Sequence, residues 1–185
     1  MQALNLNFDP FPVMVTESLV LREMTEADAP EVFIMRSHPE VVKYVDRAPA
    51  VSVDEALQFI RMIQGHLTDG KGICWAITLK GSDTLIGTVD IWRISPEHFR
   101  AEIGYALLPQ HHGSGIMKEA LRAALHYGFH TMHLHSVEAN VNPANTASIK
   151  LLERMDFVRE AYYKENYYYD GRFLDSAVYS LLSPI

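Results

Sequence analysis

Glu102-Ile103-Gly104-Tyr105-Ala106-Leu107-Leu108-Pro109-Gln110-His111-His112-Gly113-Ser114-Gly115-Ile116-Met117 is the stretch on which the fold turns. Its first half alternates. Glu102, Gly104 and Ala106 fall on one side of an extended chain, and Ile103, Tyr105 and Leu107 on the other. After Pro109 the period lengthens, and Met117, Leu121, Ala124, Leu125 and Gly128 make one stripe of a helix over about 115–129. The first N–H groups of such a helix have no internal acceptor, and the helix dipole adds positive charge there. A diphosphate can accept several of those N–H groups at once. Gly113 and Gly115 keep Cβ atoms out of the way, and Gly113 can also take a positive φ. An ordinary strand-to-helix turn would use the same glycines, so the loop alone leaves both readings open. No Gly-Lys-Ser/Thr follows it, and the three-glycine dinucleotide fingerprint would need glycine at His111 or His112.

Outward from this stretch the pattern is α/β. Strands are expected at 16–22, 73–79, 84–94, 101–108 and 134–141, separated by turn signals such as Gly81-Ser82-Asp83 and Ser95-Pro96-Glu97. Thr25 with Asp28 opens a helix whose apolar side is Val32, Phe33 and Met35, and Pro39 limits it. Ser52-Val53-Asp54-Glu55 is a capping box ahead of Leu57, Ile60, Ile63 and Leu67. Asn142-Pro143 breaks the strand at 134–141 before a helix over 145–154. The tyrosine-rich tail, 157–182, is divided by Asp170-Gly171, a strong hairpin signal. One domain over 1–185, with 1–15 as an irregular lead-in, is the expected organisation.

The chain has 185 residues, 48% of them hydrophobic and 21% charged, which suits a globular domain with a sizeable core. A net charge of −7 disfavours nucleic acid, which needs clustered cations, and leans weakly toward cationic partners such as amines. Cys74 is the single cysteine, so no internal disulfide can form. The first residues lack a signal peptide's basic flank and apolar core, and no apolar run approaches the ~20 residues of a membrane span. A cytoplasmic location without membrane association is therefore expected.

The segment from Glu102 to Leu121 resembles the acetyl-CoA signature of the GNAT superfamily: glutamine, two spacers, glycine, spacer, glycine at Gln110, Gly113 and Gly115. Downstream, Asn145, Ser148, Leu151, Leu152 and Phe157-Val158 are similar to that family's second block. Thr16-Glu17-Ser18-Leu19-Val20-Leu21-Arg22 and the hairpin around Asp170-Gly171-Arg172-Phe173 resemble the branch containing ribosomal-protein N-terminal (Rim-type) acetyltransferases. The resemblance runs from about 16 to 182. It implies a mixed, mostly antiparallel twisted sheet flanked by helices, with strands 101–108 and 134–141 splayed apart. It also implies an N-acetyltransferase that uses acetyl-CoA and acts on an amine acceptor through a ternary complex, with a homodimer among the assemblies open to it. Backbone at Leu107 and Leu108 would pair with pantetheine. Gln110, His112, Gly113, Ser114, Gly115 and Ile116 would hold the pyrophosphate, with Asn145 and Ser148 beside the cofactor arm.

The chemistry needs a base for the amine, a donor for the carbonyl oxygen and an acid for the thiolate. The N–H near Leu108 is the expected oxyanion donor. Many relatives place a tyrosine seven positions after the block's asparagine, but Leu152 stands there, so Ser148 is the substitute acid. Glu102 is the first choice of base, ahead of Glu138 and Asp175. Ser148 also reads as a plain small helix residue, and Glu102 as a structural carboxylate. His126 and His130, spaced by four, lack a glutamate between them in the zincin pattern, so no metal is expected. The acceptor stays open between a protein N-terminus and a small-molecule amine such as a polyamine, amino sugar or drug amine. A CoA-binding module without turnover is the third reading.

Overall fold

The computed structural model describes residues 3–184. Its strands are β1 (Met14–Val15), β2 (Leu19–Glu23), β3 (Ile73–Leu79), β4 (Gly87–Ser95), β5 (Arg100–Leu107), β6 (Ser136–Val141), β7 (Val158–Tyr169) and β8 (Arg172–Leu182). Its helices are α1 (Ala29–Ser37), α2 (Pro39–Val42), α3 (Val53–Thr68), α4 (Ile116–His130) and α5 (Thr146–Glu153). Among the described residues the strands form one sheet in the order β1-β2-β3-β4-β5-β6-β8-β7. Only β5 and β6 run parallel; the other neighbouring pairs are antiparallel. The expected fold class, a mixed and mostly antiparallel sheet flanked by helices, is what the chain adopts.

Strand alternation divides the core in two. Trp75, Ile77, Val89, Ile91 and Ile103 point to one face, where α4 packs Ala120, Leu121, Ala124 and Leu125 against them. Cys74, Ala76 and Leu108 belong to the other cluster, covered by Val32 and Met35 of α1 and by Ala56 and Ile60 of α3. The residues ahead of β1 pack on the first cluster: Phe8 is buried, and Trp75 Nε1 donates to Pro12 O at 2.8 Å.

Several boundaries depart from the sequence reading. The lead-in over 1–15, expected to be irregular, ends in β1, which pairs with β2, and the strand expected from 16 begins at Leu19. Pro39 ends α1 and also starts α2, because proline suits a first helical turn and His38 Nδ1 accepts from Glu40 N–H at 3.2 Å. The strand expected from 134 begins at Ser136. His133 takes a φ of 64° and Leu134 N–H donates back to Gly128 O at 3.0 Å, holding the chain on α4 for two residues more. The strand expected from 84 begins at Gly87.

The feature that positions the site is the gap between β5 and β6. They pair only at Arg100↔Ser136, Ala101↔Val137 and Glu102↔Glu138. Beyond that point β5 continues with β4, and β6 with β8. The sheet opens there as a V, with one edge of each strand freed from its neighbour.

Candidate active site

The end of β5 leads through a 3-10 turn, Pro109–His111, into the glycine stretch. Gly113 and Gly115 have φ of 76° and 86°, a region that side chains rarely adopt, and a Cβ at either would meet nothing within 4 Å. Glycine is thus demanded by backbone conformation, and the space in front of it is open. Gly115 is the N-cap of α4 and no side chain caps it, so the first N–H groups of that helix face outward unsatisfied. Ser114 Oγ donates to His111 O at 2.6 Å, which tightens the turn. Gln110 is exposed on it. This arrangement fits a diphosphate: an uncapped 15-residue helix, approached over two glycines.

His112 has a different task from the phosphate contact expected of it. Its N–H donates to Pro109 O at 3.0 Å, and its Nε2–H donates to Leu107 O at 2.9 Å. Both groups fasten the turn to the end of β5.

Leu108 also needs correction. Its N–H donates to Ile86 O at 2.9 Å, on the β4 side and away from the gap. Backbone polar groups of an antiparallel strand alternate in direction, so the edge facing the V belongs to Ile103, Tyr105 and Leu107. The oxyanion donor expected at Leu108 is therefore committed elsewhere, and Leu107 N–H is the gap-facing donor nearest the glycine turn.

On the α4 face, Tyr105 OH and Ser148 Oγ lie 2.6 Å apart. Ser148 is set by its own helix cap, since Asn145 Oδ1 accepts from Ser148 N–H at 3.1 Å. Asn145 and Ser148 are thus one local unit, and β5 brings a phenol to it. Burial pushes the Tyr105 hydroxyl up to about 12, against the opposing effect of the Ser148 hydrogen bond, so it stays protonated. Leu152, where the family's tyrosine would stand, is fully buried in the core. The sequence reading placed Tyr105 on the strand but could not pair it with Ser148.

On the α1 and α3 face, two carboxylates come together. Glu102 is buried and accepts from Arg93 at 2.9 Å; burial raises its pKa, while Arg93 works the other way. It stands at the closed end of the V, where β5 and β6 still pair. Asp90 of β4 lies opposite Gly104, one step nearer the opening. A Cβ on Gly104 would come within 2.9 Å of both Asp90 carboxylate oxygens, so the missing side chain lets this carboxylate lie across β5. Burial, then the Glu102 charge, lift Asp90 to about 7, with Arg47 opposing. Asp90 was not among the candidates read from sequence; its one signal was the glycine facing it, visible only once the register is known.

The weaker candidates are occupied. Glu138 is bonded to Arg100 at 3.0 and 2.5 Å, and Asp175 accepts from Tyr162 OH and Glu165 N–H within the hairpin. Cys74 is buried and its thiol is pushed well up by burial, so it is held as a protonated core residue. No group of three or more metal-ligating side chains gathers among the described residues. No helix among them is long and apolar enough to cross a membrane.

A splayed strand pair and a glycine turn at an uncapped helix, with Asp90, Glu102, Tyr105 and Ser148 grouped on β4, β5 and α5, are the features of an acyl-CoA-dependent acyltransferase. The model of the acetyltransferase (GNAT) domain family matches residues 18–158. The chain belongs to the GNAT family, and it is an N-acetyltransferase. It is 33% identical over 174 residues to the uncharacterized N-acetyltransferase YoaA of Bacillus subtilis, covering 94% of this chain and 98% of that one. It is 35% identical to the ribosomal protein uS5 alanine N-acetyltransferase of Escherichia coli, over 66% of this chain and 64% of that one. Spermidine N-acetyltransferase of Vibrio cholerae, solved with CoA and spermine, matches with a TM-score of 0.78 and 25% identity, over 89% of this chain and 95% of that one.

Proposed function

We propose that this chain, as one acetyltransferase domain, moves the acetyl group of acetyl-CoA directly onto a primary amine, with Asp90 as the base. The observation that carries this reading is the Asp90 carboxylate lying across Gly104, just past the point where β5 and β6 part, with its pKa lifted to about 7. A base with its pKa near the working pH both exists deprotonated and accepts a proton readily. Glu102, held by Arg93, keeps Asp90 raised and is a positioning residue.

The pyrophosphate sits on Gly113, Ser114, Gly115 and Ile116, reached past Gln110. Pantetheine runs along the freed edge of β5 at Tyr105 and Leu107. Bound acetyl-CoA supplies an acetyl thioester in the gap. The amine nitrogen attacks its carbonyl carbon, and its ammonium proton passes to Asp90. Leu107 N–H stabilises the oxyanion. A C–N bond forms and the C–S bond breaks, and the departing thiolate takes a proton from the Tyr105–Ser148 pair. The products are the N-acetylated amine and CoA. Tyr105 is the donor proper, because a phenol is a far better acid than serine, and Ser148 orients it; this revises the role first expected of Ser148.

The acceptor classes supported by likeness are a protein N-terminal amine and a polyamine. Thiol release with a panel of amines and N-terminal peptides separates them. For the mechanism, Asp90→Asn is expected to lower kcat roughly 10²–10⁴-fold, and Glu102→Gln less. If Asp90→Asn keeps wild-type kcat across pH, Asp90 is not the base.

A further inference from the structure

The α1 and α3 face holds a second group of polar atoms that acetyl transfer leaves unexplained. Arg36 Nε and Nη1, Arg47 Nε and Trp92 Nε1 are buried with no hydrogen-bond partner among the described residues. The two guanidiniums converge on one ring: Arg36 lies 3.9 Å from the Phe59 centroid and Arg47 lies 5.8 Å from it. Burial lowers both, Arg36 to about 10, and Arg47 adds its own repulsion to Arg36. Glu55 and Asp90 act on them only at a distance, without a hydrogen bond to either.

Two like charges, partly desolvated and side by side, are costly unless an anion lies between them. The CoA phosphates do not meet this need. Their turn opens α4, on the opposite face of the sheet from α1 and α3. Arg47 instead lines a cavity of about 460 Å³ between the loop after α2, the turn after β6 and the tip of the β7–β8 hairpin. Lys43 and Arg172 line it too, against Asp46 and Asp170. Asp46 is engaged by Tyr167. From this cavity Arg47 is within electrostatic reach of Asp90, which in turn feels Glu102. Arg47 thus belongs both to the lining of this cavity and to the charged surroundings of Asp90, and Arg36 stands beside it over Phe59.

We propose that the amine acceptor carries a carboxylate, bound by Arg36 and Arg47, while its amine is presented to Asp90. The inference rests on the acetyl-transfer reading above and narrows it. A polyamine would put further cations against these guanidiniums. An amino acid, or a short acidic N-terminal segment, supplies the oxygens that planar guanidiniums bind in a forked geometry. The free acid and the protein terminus share this chemistry and differ in length.

The test compares acceptors matched in their amine. Thiol release from acetyl-CoA is measured with methionine against methioninamide, with the peptide amides of alanyl-glutamate against alanyl-glutamine, and with spermidine. A free acid preferred over its amide by tenfold or more in kcat/KM supports the site. The methionine pair points to a small-molecule acceptor, and the peptide pair to a protein terminus. Arg36→Met and Arg47→Met, made separately, should each bring that ratio to within about threefold of one. Equal rates for acid and amide, or a preference for spermidine, overturn the carboxylate site while leaving acetyl transfer intact. If no acceptor turns over, the transfer reading fails. Calorimetry of acid against amide binding to the CoA-loaded protein then decides the site by itself, with equal affinities overturning it.

Discussion

Asp90 shows how much one side chain's setting can change its chemistry. An aspartate in water titrates near 4; here burial and Glu102 carry it to about 7. Its folded pKa lies above its unfolded one, so the folded state favours the neutral acid. The stability tied to this proton is present below about pH 4 and is lost as pH rises toward about 7. Asp90→Asn should therefore be more stable than wild type at pH 8, by up to about 4 kcal/mol, and equal to it at pH 4. Urea melts at the two pH values would show this; a less stable variant at pH 8 would mean that Asp90 is better paired than its surroundings indicate. Turnover should fall as pH drops through about 7, since the base must be deprotonated to act. Glu102 was legible in the sequence as a carboxylate on the critical strand. Asp90 was not, because its importance comes from Gly104 standing opposite, and strand register is a tertiary fact.

At the scale of elements, the glycine turn was readable because its demands are local. Two positive-φ positions and an uncapped helix follow from a few adjacent residues. Gly113→Glu should weaken CoA binding roughly tenfold or more, because a non-glycine residue in the left-handed region costs about 1–2 kcal/mol and its carboxylate repels phosphate. Calorimetric titration with CoA measures this, and an unchanged dissociation constant would remove the turn from the site. The second block was readable for the same reason: Asn145 caps α5 and so sets Ser148. The phenol was not, since Tyr105 is 43 positions away from Ser148 and only the β5–α5 packing joins them. The direction of the Leu108 N–H was also hidden, since it depends on which neighbour takes the strand's alternate edges.

For the whole molecule, the V between β5 and β6 lies within the sheet, so filling it ties the two halves together. A ligand that binds only the folded state stabilises it by about 2.7 kcal/mol at a hundredfold excess over Kd. For a chain of this size that corresponds to a rise in Tm of roughly 5–10 °C. A thermal melt with CoA at that excess tests this, and no shift would contradict a cleft built for CoA. By itself the sequence determined the α/β class, the order of the main strands and helices from β2 onward apart from α2, the glycine turn and the capped α5, because each is written in neighbouring residues through periodicity, φ and capping. Only the tertiary structure decided where β5 and β6 part, that Asp90 lies over Gly104, that Tyr105 meets Ser148, and that Arg36 and Arg47 share Phe59. Those are contacts between residues distant in the chain, and they depend on register and packing that no local pattern encodes.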